Sequence, residues 1–495
     1  MALARGPRTR TLSHLLLSGS NPLSPPLLYS SPPSALPQRP SNPSLVPVPL
    51  TSSWLSSIGR EGDVPSRLLL ASGAGHSLAA YTSEVGVDRV LGLGKNEAGQ
   101  LGIGFASQEG TRGLVEGFEG EGVLQVAAGV QGSYLLVSSS PDSTTLYSFG
   151  NLARGRLGHR SLFPPDPPLE KHEEPRQHVL PRAVAVKLPE EMGKIKQIAA
   201  GFEHLLMLTE DGEIYGTGCN TDGQLGLGPS SSLDGGLSDV FELSKLSLPE
   251  HIRAHEGGVK SISAGADTSA LITESGKVFA WGNSEYGQAF HSRTIDQIPT
   301  PLEIDSSFLP SPSRRIVDFR CGGSFSLVLD DQGSVSSAGF GAVGLGKSTL
   351  NSLKPQLIEA LEGEGVSRIR AGWGYAAAVR DAAEDSALWT WGLNNLHGRL
   401  GLGALPSSPT SSSPSSSPSP SSRFSRRDSS EAPPAPVQRH VCEPTRVDLA
   451  PAVRSLGLEL GRRRDGEEGG RWRLGEVELG EEGMWVEVKE EVDVD

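Results

Sequence analysis

Two of the eleven histidines, the three cysteines, a lysine-bearing glycine loop and a set of tryptophans are the first residues of this chain to weigh for chemistry. His76 and His204 could hold a metal ion or move a proton. They occupy one and the same place in a repeated pattern, which Gly132, Thr268, Phe325 and Tyr375 fill in the other copies. Equivalent places on separate modules lie around a ring and do not converge within tetrahedral reach of one ion, so structural histidines and no metal are expected. Cys219, Cys321 and Cys442 are far apart, form no CxxC pair and are too few for a disulfide framework, which fits a reducing compartment. Gly341 to Ser348, GAVGLGKS, comes nearest to a phosphate-cradling loop. The repeat periodicity already accounts for these glycines, and no helix is expected after them. Of Trp281, Trp373, Trp389 and Trp391, only Trp373 follows an anchoring glycine, so no stacked light-absorbing cluster is expected. With no converging acid, base, nucleophile or ligand set, the chain reads as neither enzyme nor cofactor carrier.

The elements that must position these residues are copies of one module. IKQIAAGFEHLLMLTEDGEIYGTGCNTDGQLGLG at 195 to 228 is matched by VKSISAGADTSALITESGKVFAWGNSEYGQAF at 259 to 290. Four further copies begin LLLASGAGHSLAAYT, VLQVAAGVQGSYLLV, IVDFRCGGSFSLVLDDQG and VSRIRAGWGYAAAVR. Their anchoring glycines, Gly73, Gly129, Gly201, Gly265, Gly322 and Gly372, are spaced by 56, 72, 64, 57 and 50 residues. A second anchor, Gly94, Gly150, Gly218, Gly282, Gly339 or Gly392, follows after 21, 21, 17, 17, 17 and 20 residues. IKQIAAG alternates as a half-buried strand does, HLLMLT is apolar enough to be buried on both faces, TEDG is a hairpin turn and EIYGTG a third strand. In the loop NTDGQLG, Gly223 and Gly226 are placed to take positive φ while Leu225 plugs the core. One such sheet cannot bury its two faces alone; copies stacked around an axis can, and closing the ring protects the sheet edges.

These strings resemble the regulator-of-chromosome-condensation repeat family, over about residues 68 to 403, through AG or CG, an apolar strand, a glycine turn, WG and GQLG. The resemblance implies an all-β, seven-bladed β-propeller. WGNSEYGQ at 281 to 288 and the shortened GFGAVGLGK at 339 to 347 resemble the mitochondrial branch most. No seventh AG-x-x-H copy is found, so the last blade is expected to be atypical or incomplete, built from RWRLGEVEL and GMWVEV with help from residues 54 to 70. In this family the loops after the anchor glycine contact the partner, and the founding member there expels nucleotide from a small GTPase. The resemblance places Gln131, Phe202, Glu203, His204, Asp267, Ser324 and Trp373 near such a face, with Glu203 where an acidic contact is expected. It further implies a guanine-nucleotide exchange-factor-like regulator of a small or dynamin-like GTPase, peripheral to the inner mitochondrial membrane. The alternatives are a non-exchanging scaffold for assembly of the mitochondrial ribosome or a respiratory complex, and a nuclear chromatin-associated exchange factor, which would need a basic tail.

Charge and composition bound these readings. With 44 Lys+Arg against 58 Asp+Glu, the formal charge is -14, and the bulk surface offers no basic field for nucleic acid. No stretch approaches the length of apolar residues that spans a bilayer. From Met1 to Arg60 the chain carries no Asp, Glu or Lys but has Arg5, Arg8, Arg10, Arg39 and Arg60 among Ser, Leu and Pro, the composition of a mitochondrial presequence. The expected organisation is a presequence and disordered leader at 1–60, propeller repeats at 61–404, a disordered Ser/Pro-rich insert at 405–437, and a degenerate last blade with an acidic tail at 438–495. Location in the matrix, or on the matrix side of the inner membrane, follows from that reading.

Overall fold

A computed structural model describes residues 8–20, 41–48, 67–82, 88–118, 122–160, 178–229, 236–346, 349–382, 385–394, 398–402, 439–455, 471–480 and 483–494. The described strands form an all-β propeller with six regular blades, each four consecutive antiparallel strands, and one further four-stranded sheet drawn from both ends of the chain. Blade one comprises Leu68–Ser72, His76–Thr82, Asp88–Asn96 and Ser107–Leu114. Blade two comprises Val123–Ala128, Gly132–Ser140, Ser143–Asn151 and Val179–Ala185. Ile195–Ala200, His204–Thr209, Ile214–Gly218 and Val240–Lys245 make blade three. Val259–Ala264, Thr268–Thr273, Val278–Ser284 and Ile295–Glu303 make blade four. Blade five runs through Ile316–Cys321, Phe325–Asp330, Val335–Phe340 and Asn351–Leu357. Blade six runs through Arg368–Ala371, Tyr375–Arg380, Ala387–Asn394 and Arg439–Arg446.

The second strands carry the core. His204–Thr209, Thr268–Thr273 and Phe325–Asp330 are buried at every position, because each is packed between two neighbouring sheets. Each fully buried Leu or Ile there contributes about 2 kcal/mol of transfer free energy. Leu225 is fully buried, and Gly223 and Gly226 have φ of 82 and 72, as their loop demands.

The anchor glycines explain the tight inner ring. A Cβ on Gly73 would collide with the carbonyl of Gly129, on Gly129 with that of Gly201, on Gly201 with that of Gly265, and on Gly265 with that of Gly322. The same close approach lets the amide of Ala74 donate to Gly129 O at 3.1 Å, Phe202 to Gly265 O at 3.0 Å, Ala266 to Gly322 O at 2.9 Å and Gly323 to Gly372 O at 3.1 Å. The blades are thereby hydrogen-bonded to each other near the axis, where any side chain would hold them apart. All six second anchors have positive φ, between 94 and 120.

The last sheet differs from expectation. Its order from the axis outward is Arg471–Leu479, Gly483–Val494, Arg8–Ser20 and Ser41–Val48. RWRLGEVEL and GMWVEV do supply its inner half, so much of the acidic tail is strand. Its outer half comes from within the leader read as disordered, because the free edge of Gly483–Val494 pairs with Arg8–Ser20 from Arg8↔Val494 to Gly19↔Gly483. Residues 54 to 66 lie outside the described residues, and Leu68–Ser72 is already the inner strand of blade one. The segment around Cys442, which was grouped with the last blade, is instead the fourth strand of blade six, because Gly392 pairs with Val441 and gives Ala387–Asn394 its outer neighbour. The Ser/Pro-rich insert at 405–437 lies outside the described residues.

Side chains from both neighbours fasten this sheet. Arg368 donates to Gly475 O at 2.7 Å and Leu474 O at 3.1 Å, and Arg370 to Val477 O and Glu476 Oε2, each at 2.9 Å. On the other side Glu478 Oε1 accepts from the Ser72 amide at 2.9 Å, and Trp485 Nε1 donates to Ser77 Oγ at 3.2 Å. Arg320, Arg370, Glu476 and Glu478 line one side of a central cavity of about 540 Å³, whose opposite wall bears Gln125 and Gln197.

Candidate partner-docking face

Within each regular blade, the loop after the first anchor and the loop after the second emerge at the same end. The residue after the second anchor donates its amide to the first loop: Lys95 to Gly75 O, Asn151 to Gln131 O, Cys219 to Glu203 O, Asn283 to Asp267 O, Phe340 to Ser324 O and Leu393 to Gly374 O, at 2.7 to 2.9 Å. Gln131, Glu203, Asp267 and Ser324 are therefore equivalent positions ringed on one face, each partly exposed. Asn151 Nδ2 donates to Gln131 Oε1 at 2.8 Å, tying the two loops of blade two by side chain as well.

Phe202 of blade three and Trp373 of blade six meet edge to face, ring centroids 4.4 Å apart at 62°. Trp373 also lines the central cavity, so the pair bridges its mouth. Such edge-to-face geometry sets the positive edge of one ring against the negative face of the other.

Glu203 is not a free acid. Its carboxylate accepts from Arg156 at 2.6 Å and Arg154 at 3.0 Å, and Arg154 also holds Asp239 at 3.0 Å. Arg154 sits at φ 61, a conformation rare for a residue with a side chain, which aims its guanidinium across from blade two to blade three. The Arg156 side chain is only 4% exposed, so removing Glu203 would leave a buried cation without its partner. Sequence reasoning passed over both arginines, yet a signal is present: in NLARGRLG, Arg156 replaces the glutamine that stands as Gln100, Gln224 and Gln288 in the sister loops.

Asp267 presents the opposite situation. Burial, then the nearby charges of Asp222 and Glu203, push its carboxyl up to about 6. Asp222 sits between blades three and four, accepting from Asn283 Nδ2 at 3.3 Å. Neither Asp267 nor Asp222 forms an ion pair among the described residues.

His204 does not belong to the face. It is buried, and its Nε2 lies 2.9 Å from Ser269 Oγ of blade four, whose hydroxyl donates to Gln224 O at 2.8 Å. His76 makes the same bridge from blade one to Ser133 of blade two, and Ser133 to Gln100 O. In both, the serine spends its proton on the carbonyl, so the histidine Nε2 is the donor. Burial holds His204 down to about 3 and His76 to about 4, both neutral at pH 7. These are inter-blade rivets.

The remaining chemical candidates resolve as structure. Cys219, Cys321 and Cys442 are free thiols, and burial pushes Cys321 up to about 12. Trp281 donates to Gln224 O at 2.9 Å and Trp391 to Ala342 O at 2.8 Å, each reaching to the preceding blade. The loop from Gly341 to Gly346 joins two strands of one sheet, and Lys347 and Ser348 lie outside the described residues. Among the described residues no group of three or more His, Cys, Asp or Glu could hold a metal ion, and no helix is long and apolar enough to cross a membrane.

Comparison with known proteins is consistent with this geometry. The chain is 29% identical over 370 residues to the human RCC1-like G exchanging factor-like protein, covering 69% of this chain and 72% of that one. It is 30% identical over 344 residues to the mitochondrial RCC1 domain-containing protein RUG3 of Arabidopsis thaliana, covering 68% of each. The crystal structure of Prp20p from Saccharomyces cerevisiae, described with its binding properties to Gsp1p and histones, superposes with a TM-score of 0.62 at 17% identity, over 100% of this chain and 94% of that one. Residues 68–424 match the RCC1-like domain family, and with the inter-blade glycines, the paired loops and the single loop face all in place, the chain belongs to that family.

Proposed function

We propose that this chain is a mitochondrial, guanine-nucleotide exchange-factor-like regulator that docks a GTPase on the loop face and makes no covalent bond. The observation that carries the reading is the contrast between Glu203, neutralised by two arginines, and the neighbouring Asp222 and Asp267, two carboxylates with no ion-pair partner among the described residues beside the Phe202–Trp373 pair. Uncompensated acids next to an aromatic centre suit a partner that brings a cation, and a carboxylate brought near a bound nucleotide competes with its phosphates for Mg²⁺. Gln131, Phe202, Glu203, Ser324 and Trp373 complete the docking surface, and His204 supports it from beneath. The exchange-factor-like and mitochondrial relatives support the regulator and its compartment, and the acid-free, arginine-bearing leader suits import as a segment that stays in the ring.

The test is release of fluorescent GDP from a panel of mitochondrial GTPases in the presence of the full chain. We expect at least about tenfold acceleration with one member, reduced by Asp267→Asn and by Trp373→Ala. Release unchanged across the panel, with a GTPase or assembly complex still bound, would favour the scaffold and overturn the exchange reading.

A further inference from the structure

Blade five breaks the pattern of its sisters where the break is most visible from solvent. The residue after the second anchor is Lys95, Asn151, Cys219, Asn283 and Leu393 in the other blades, but Phe340 in blade five, and Phe340 is 45% exposed. It does not stand alone. Tyr286 of blade four lies against it with centroids 5.3 Å apart, and Leu350, just before the next strand, and Leu353, within it, are 37% and 40% exposed. The loop at Gly287 rests on the backbone of Leu353, so the Tyr286–Phe340 pair and the exposed Leu353 lie together at the blade four–blade five junction. Keeping a phenylalanine and two leucines in water at a position that the repeat elsewhere fills with other residues forgoes burial free energy, and clustered apolar exposure marks an interaction site.

The patch continues into the acidic ground already described. Asn283 links Asp222 to the loop that carries Glu285 and Tyr286, donating to Asp222 and accepting from the Glu285 amide at 2.9 Å. The surface therefore reads Asp267, Asp222, Glu285, Tyr286, Phe340, Leu353, acidic near the axis and apolar toward the rim. None of these three acids is ion-paired among the described residues, whereas Glu203 and Asp239 are.

We infer that this strip is the docking track for a polypeptide segment of the partner that carries aromatic or aliphatic side chains followed by lysine or arginine. It rests on the proposed use of the loop face and names the chemistry of what binds there. The charge complement decides the occupant: an apolar segment with acidic flanks would meet three uncompensated carboxylates, and a purely basic one would leave Phe340 and Leu353 in water.

The probe is a random peptide display library selected on the immobilised full chain and counter-selected on the Phe340→Ser/Leu353→Ser double variant, itself first shown to melt with the wild type. Expected survivors join one or two aromatic or aliphatic residues to Lys or Arg. Their affinity should fall about tenfold or more in the double variant. In Asp222→Asn/Asp267→Asn it should fall several-fold at low salt, with the difference shrinking at high salt. Survivors without basic residues, no enrichment over the double variant, or peptides matching Arg423 to Arg427 of this chain's own insert would each overturn a basic-apolar partner segment as the occupant. The readout is independent of nucleotide release, so a track that binds such peptides while no GTPase is discharged would retain the track and reject the exchange reading.

Discussion

At the scale of single residues, two kinds of titrating group separate fold from function. His76 and His204 are buried neutral, with ordinary values of 6.5 depressed to about 4 and about 3. A depressed histidine contributes stability that is present above its unfolded value and lost as pH falls toward its folded one. For His76 the loss between pH 6.5 and about 4 amounts to about 3 kcal/mol. Blade five shows the chain's own replacement, since Phe325 stands at the histidine place and Ala376 of blade six at the serine place. We therefore expect His204→Phe/Ser269→Ala to fold at pH 7 and to lose less stability on acidification than the wild type, as measured by urea titrations from pH 7 to pH 4. Asp267 works in the opposite sense and on binding. Its carboxyl is raised to about 6, so a partner cation should bind more tightly as pH rises through 6, and Asp267→Asn should abolish that slope in a binding isotherm series. A slope retained in the variant would remove Asp267 from the interface.

At the scale of elements, the repeat was legible because glycine is required wherever two backbones touch. Gly201→Ala should lower stability by about 3 kcal/mol, since the new methyl meets His204 and the carbonyl of Gly265. Gly236, with nothing within 4 Å, should accept alanine within about 0.5 kcal/mol. Chemical denaturation of the two variants decides the point. The alternation of IKQIAAG and the unbroken HLLMLT likewise gave strands where the structure has them, because a blade is buried on a fixed schedule. What a single repeat does not encode is what one copy does to the next. Glu203 reads in sequence as an exposed acid, and its neutralisation comes from Arg154 and Arg156, about 50 residues earlier in the loop of another blade. His204 reads as a structural histidine that the family resemblance also places near the face, and Ser269 beneath it decides for the first. The same limit applies to Phe340, whose contact with Tyr286 joins two blades and is written in neither repeat alone.

At the scale of the whole molecule, the ring is completed by a sheet that no local pattern announces, because its halves lie more than 400 residues apart. Gly483–Val494 would have a bare edge without Arg8–Ser20, and such an edge is both a loss of hydrogen bonds and a template for association. We expect removal of residues 1–7 to leave the melting temperature unchanged. Removal of residues 1–20 should lower it by several degrees and promote self-association, read by calorimetry and light scattering. Equal melting of the two truncations would show that the ring does not depend on the leader strand. The inner half of the same sheet carries its own sensor. Glu478 is half-buried in the wall of the central cavity, and desolvation raises its carboxyl to about 7 against the opposing pull of Arg370 and the Ser72 amide. A carboxyl raised in the folded state contributes most below its unfolded value and loses that contribution as pH climbs through the folded one, here from about 4.5 to about 7. Glu478→Gln keeps the hydrogen-bonding oxygen for Ser72 and removes the charge. Its stability relative to the wild type should therefore rise across that interval by up to about 3 kcal/mol and level off above pH 8. A difference that stays flat from pH 5 to pH 8 would mean that the Arg370 guanidinium compensates the Glu478 carboxylate fully, and that closure of the ring is indifferent to protons.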